Sequence, residues 1–122
     1  MSFLRSEDIT VTTNSSGEST GFSANVTGKV VSIEYAPVPT THISSAATLV
    51  VKGENSSRPI LTLAALSSAA GLWYPRHPSH RSTSGSTFGA EGVQIPVVAE
   101  RVRFVVASGG NTLSGTFRMI VE

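Results

Sequence analysis

Two stretches near the end of the chain, RVRFVVA at 101–107 and GTFRMIV at 115–121, alternate between large apolar side chains and everything else. In the first, Val102, Phe104 and Val106 oppose Arg101, Arg103 and Val105. In the second, Phe117, Met119 and Val121 oppose Thr116, Arg118 and Ile120. A period of two places every second side chain on one face of a strand, and a helix cannot satisfy it. A chain with two such segments must bury their apolar faces against another layer of structure.

The same signal recurs upstream. Residues 9–13 (ITVTT) are β-branched and alternate, and 22–26 offer a return strand after the turn cluster NSSGES at 14–19. Residues 29–35 (KVVSIEY) read as a longer strand with Val31, Ile33 and Tyr35 on one face, stopped by Pro37 and Pro39. Residues 47–53 form another strand, followed by the turn GENSS and the segment RPILTL. Residues 61–70, rich in alanine and leucine, admit a short helix, and 93–97 (VQIPV) a short edge strand. Ser108-Gly109-Gly110-Asn111 reads as a hairpin turn pairing the last two strands. The glutamates are dispersed singly, and each reads as a turn or solvent-face residue. The sum is about seven or eight strands without alternating helices, which predicts an all-β fold: a single antiparallel β-sandwich or jelly-roll-like domain. We expect residues 9–122 to form that domain, with one long loop at 71–92, and residues 1–8 to form an N-terminal arm.

Composition narrows the function. Charged residues are 14% of the chain and the net charge is +1. No long-range field gathers nucleic acid or an anionic membrane, so neither is an expected partner. There is no cysteine, which removes disulfides, thiolate catalysis and cysteine-based zinc sites. No apolar run approaches the roughly 20 residues of a membrane helix. The first ten residues, MSFLRSEDIT, lack the pattern of a signal peptide.

The rare residue types concentrate in GLWYPRHPSHRSTSG, residues 71–85, which holds the single tryptophan, one of two tyrosines and two of three histidines. Catalysis is the weakest reading of this loop. No nucleophile elbow or phosphate-binding glycine motif is present. His77 and His80 would need a third ligand, such as His42 or Glu91, to hold a metal. We therefore expect no enzyme activity, no cofactor and no metal. Trp73 and Tyr74 as a sugar platform lack neighbouring acids and amides. Docking onto protein fits better. Trp, Tyr and Arg anchor interfaces, proline lowers the entropy cost of ordering a loop, and Arg76 and Arg81 can grip carboxylates. The expected contact residues are Trp73, Tyr74, Arg76, His77 and Arg81, with Phe3 and Leu4 as apolar anchors of the N-terminal arm.

An ordered series runs through the chain: PILT at 59–62, WYPR at 73–76, IPVVAERV at 95–102, VVASGGN at 105–111 and GTF at 115–117. It resembles a family of small virion structural proteins of tailed bacteriophages and prophages, over about residues 28–122. The resemblance implies a capsid decoration (cement) protein that binds the outside of the capsid as a homo-oligomer, dimer or trimer. Its partner would be the major capsid protein; it would be made in the bacterial host cytoplasm and located on the virion. A head–tail connector or tail protein, and a carbohydrate-binding virion surface module, are the alternatives. Where the family pattern implies an aspartate soon after Tyr-Pro-Arg, this chain has His77-Pro78-Ser79-His80-Arg81.

Overall fold

The computed structural model describes residues 4–38, 40–66, 70–80 and 87–122, with 77–80 and 87–92 described by their backbone. Ten strands lie in chain order: β1 Arg5–Thr12, β2 Ser19–Phe22, β3 Val26–Pro37, β4 Thr48–Gly53, β5 Pro59–Leu63, β6 Gly71–Trp73, β7 Arg76–His80, β8 Thr87–Glu100, β9 Val102–Ala107 and β10 Ser114–Val121. They form two antiparallel sheets. The larger has the order β1-β10-β3-β8-β7, with β6 also paired to β3, and the smaller is β2-β9-β4-β5. The protein is the expected all-β sandwich, and no helix occurs among the described residues.

The core lies where the alternation puts it. Val102, Phe104 and Val106 of β9 meet Phe117, Met119 and Val121 of β10, all buried. The Phe117 ring stacks on Tyr35 at a centroid distance of 5.0 Å and tilts against Phe104 at 5.4 Å. Aromatic pairs at such distances add to the stabilisation from area burial. In β3 the inward set is Val30, Ile33 and Tyr35, and the expected Val31 is only half-buried. The register explains it. Ile120 faces Ser32 and Val121 faces Val30, so Val31 is the extra residue of a β-bulge, and the strand changes its facing there.

Pairing departs from expectation at both ends of the chain. The last two strands do not form a hairpin: β9 pairs with β2 and β4, and β10 with β1 and β3. Residues 9–12 and 22 likewise fall in opposite sheets. Each of these two connections crosses from one sheet to the other, and the crossings brace each other. Gly17 and Gly110 take positive φ of 77° and 88°, which glycine adopts at little cost. The Gly109 N–H donates to the Gly17 carbonyl at 2.8 Å. The buried Thr13 hydroxyl donates to the Gly110 carbonyl at 2.6 Å and accepts from the Leu113 N–H at 2.8 Å. A local turn signal cannot distinguish a hairpin from such an arch, because both need the same glycines.

Three further expectations change. Residues 5–8 are not a free arm, since β1 begins at Arg5, opposite Val121. Residues 61–63 belong to β5, and Leu66 then buries itself with its N–H on the Ala47 carbonyl, so no helix forms over the described part of 61–70. The long loop expected at 71–92 contains β6, β7 and the start of β8, and 93–97 is the middle of that fourteen-residue strand.

Candidate binding surface at a forked sheet edge

One edge of β3 is shared by two strands. Its first half, Val26 to Val30, pairs with Glu100 to Ile95 of β8, and its later residues Ile33 to Tyr35 pair with Trp73 to Gly71 of β6. β8 therefore leaves β3 near the bulge, and β6 takes its place. Beyond Tyr74-Pro75 the chain continues as β7 and pairs with the departing part of β8: Arg76 opposite Gln94, His77 opposite Val93, Pro78 opposite Glu91, and His80 opposite Thr87. Register shifts flank Pro78, as expected for a residue that cannot donate to a ladder. The product is a two-stranded arm rooted in a fork.

Arg76 occupies the fork. Its Nη1 donates to the Val31 carbonyl at 3.1 Å and to the Pro75 carbonyl at 2.7 Å. It satisfies a backbone acceptor in the bulge, between the β8 and β6 ladders. This side chain, expected as a free prong, is thus engaged in bracing the fold. Trp73 is half-buried and packs against the core, where its ring lies over Gly71; a Cβ on Gly71 would come within 2.7 Å of the indole. Tyr74 and Leu72 point outward, 61% and 49% exposed. Leu4 is exposed just before β1. The backbone of His77 and His80 lies in β7. Phe3, Arg81 and the imidazoles of His77 and His80 lie outside the described residues.

Register also groups residues that no sequence pattern singles out. Arg76 and Gln94 are cross-strand partners, Gln94 and Pro96 lie two apart on one face of β8, and Pro96 faces Lys29 on β3. Lys29, Arg76, Val93 and Gln94 line an open cavity of about 460 Å³ at the root of the arm. No alternation or motif marks Lys29 or Gln94, since their meeting depends on where β8 leaves β3.

A second polar centre joins the sheets at the end of β8. Glu100, expected as a turn or solvent-face residue, is buried. Its Oε1 accepts the N–H groups of Asn55 and Ser56 at 2.8 and 2.9 Å, and its Oε2 accepts the Ser56 hydroxyl at 2.8 Å. These hydrogen bonds, chiefly from Ser56, hold its pKa below the ordinary carboxylate value. Next to it, Arg101 forms a two-point pair with Glu54 and lies 4.0 Å above the Phe22 ring. Among the described residues, no three His, Asp or Glu side chains gather to hold a metal ion. His42 is half-buried, its Nδ1 3.2 Å from the Ile43 carbonyl oxygen.

No family model matches the chain, and no curated protein does. A solved structure described as "Crystal Structure of FLHE" matches over 99% of both chains, at 12% identity and a TM-score of 0.46. The capsid-decoration reading, with its connector, tail and glycan-binding alternatives, is withdrawn: no family model and no curated protein supports it, and the solved structure that matches is described as FLHE. A TM-score below 0.5 does not bring the role of FLHE to this chain.

Proposed function

We propose that this protein is a non-catalytic binding module that self-associates, as a dimer or trimer, through the β7–β8 arm and the exposed root beside it. The observation that carries the reading is the arm itself. Among the described residues β7 pairs with β8 alone, and a two-stranded ribbon without a further layer is marginal in water. A second copy supplies that layer. Tyr74 and Leu72, exposed at the root, are of a kind that binds at interfaces: aromatic and aliphatic groups that gain by leaving water. A net charge of +1 leaves little repulsion between copies.

The test is sedimentation velocity over a range of protein concentrations. The comparison variant replaces residues 78–92 with Asn-Gly, so that His77 and Val93 flank a two-residue turn. The native protein is expected to sediment as a dimer or trimer, and the variant as a folded monomer with an unchanged thermal midpoint. A native protein that stays monomeric at high concentration overturns the reading, as does an arm-free variant that still associates.

A further inference from the structure

We infer that the cavity at the fork is a binding site for an oxyanion, the carboxylate or phosphate group of a small ligand. The site combines two cationic side chains, Lys29 and Arg76, with the amide of Gln94 and the aliphatic wall of Val93. Register places the three polar groups on one face of the larger sheet. Its volume of about 460 Å³ lies in the range of small-ligand pockets. The Arg76 guanidinium is already oriented by two backbone carbonyls, so little side-chain entropy is lost when an anion arrives. Arginine and lysine together offer charge-assisted hydrogen bonds of the kind that select oxyanions.

The molecule contains its own control. Lys52 and Arg103 are also neighbours, directly opposed across β4 and β9. Both are half-buried on the smaller sheet, the Arg103 charge acts on the Glu54 carboxylate, and neither lines the cavity at the fork. If any pair of cations sufficed, both pairs would bind alike. The fork is distinguished by concavity and by a braced arginine.

The experiment is a titration of ¹⁵N-labelled full-length protein with inorganic phosphate and, separately, with acetate, at constant ionic strength. Saturable shifts are expected at Lys29, Arg76 and Gln94 with at least one probe. Response to phosphate alone assigns a phosphate-bearing ligand, and response to acetate a carboxylate. Lys29→Gln should weaken binding about tenfold, and Gln94→Glu should abolish it by placing a like charge in the cavity. The arm-free variant keeps all four lining residues, so loss of self-association there leaves this site intact, and the two proposals fail separately. The inference is overturned if neither probe gives saturable shifts, if Lys52 and Arg103 respond as strongly as the fork, or if Lys29→Gln binds unchanged.

Discussion

The two sides of the sandwich are finished in opposite ways. On one, β1 lies over β2 so closely that a Cβ on Gly21 would come within 2.6 Å of the Ile9 side chain. The arches beside them lock through Thr13, Gly17, Gly109 and Gly110, with neutral donors and acceptors only. On the other side, β3 serves two partners, an arginine bridges the gap, and a buried carboxylate ties the end of β8 to the turn between β4 and β5. The arches of the closed side are held by apolar packing and hydroxyls, with exposed additions on β1, where Glu7 accepts from the Ala24 N–H and Asp8 from Arg118, whereas the forked side places charge on backbone groups at its buried joints. We expect stability to depend chiefly on the first, while Tyr74, Leu72 and the cavity at the fork belong to the second.

The largest effect should come from removing the ring that joins the sheets. Phe117→Ala leaves a cavity beside Tyr35 and Phe104 and should cost about 3–5 kcal/mol. That is a large share of the roughly 5–15 kcal/mol typical of a domain. Tyr74→Ala at the fork should change stability by no more than about 0.5 kcal/mol. Chemical denaturation of both variants checks the contrast; similar losses in the two would erase the division of labour.

Acid should separate the sides next. Glu100 has its pKa lowered by the Ser56 and Asn55 hydrogen bonds, and Glu54 has its own lowered chiefly by the Arg101 hydrogen bond. A carboxylate with a depressed folded pKa contributes stability that is fully present above its unfolded value. That contribution is lost as pH falls through the folded one. Stability should therefore be flat near neutrality and decline below the ordinary carboxylate value of 4.5. Hydrogen exchange should then show the Asn55 and Ser56 amides opening before those of Gly109 and Leu113. Glu100→Gln should flatten the acid limb and lower stability at neutral pH. Equal loss of protection on both sides at low pH would contradict the assignment.

Legibility in the sequence divides along the same line. The inward faces of β9 and β10 are legible because alternation is local and burial obeys it. Trp73, Tyr74 and Arg76 are legible as an unusual cluster, but not in their division of roles: Trp73 into the core, Arg76 onto a carbonyl, Tyr74 outward. That division depends on β8 leaving β3, a pairing between segments more than sixty residues apart along the chain. The arches read as hairpins because glycine in a turn specifies the backbone conformation and not the destination of the next strand. Glu100 escapes notice since a carboxylate in sequence looks solvent-facing until its donors, Asn55 and Ser56, are brought beside it.

The smallest effect tests whether the core shared by the two sides is as well satisfied as the hydroxyl pairing of the arches implies. Tyr35 is buried, and its Oη makes no hydrogen bond of good geometry among the described residues, although the Ile43 backbone N–H lies close enough to favour its charged form. Burial raises the phenol pKa above the ordinary 10.0, as desolvation of the charged form requires. The ring is held by Phe117 on one side and by Gly115 on the other, where a Cβ would lie 2.6 Å from Tyr35 Cε1. Tyr35→Phe keeps that stacking and removes a polar group whose loss of water is offset at most by a poorly aligned contact with the Ile43 backbone, so it should leave stability unchanged or raise it by up to about 1 kcal/mol. The thermal midpoint reads the sign. A clear fall would mean that the hydroxyl does find an acceptor or donor in solution, and that the core shared by the two sides, too, relies on a polar contact for part of its hold.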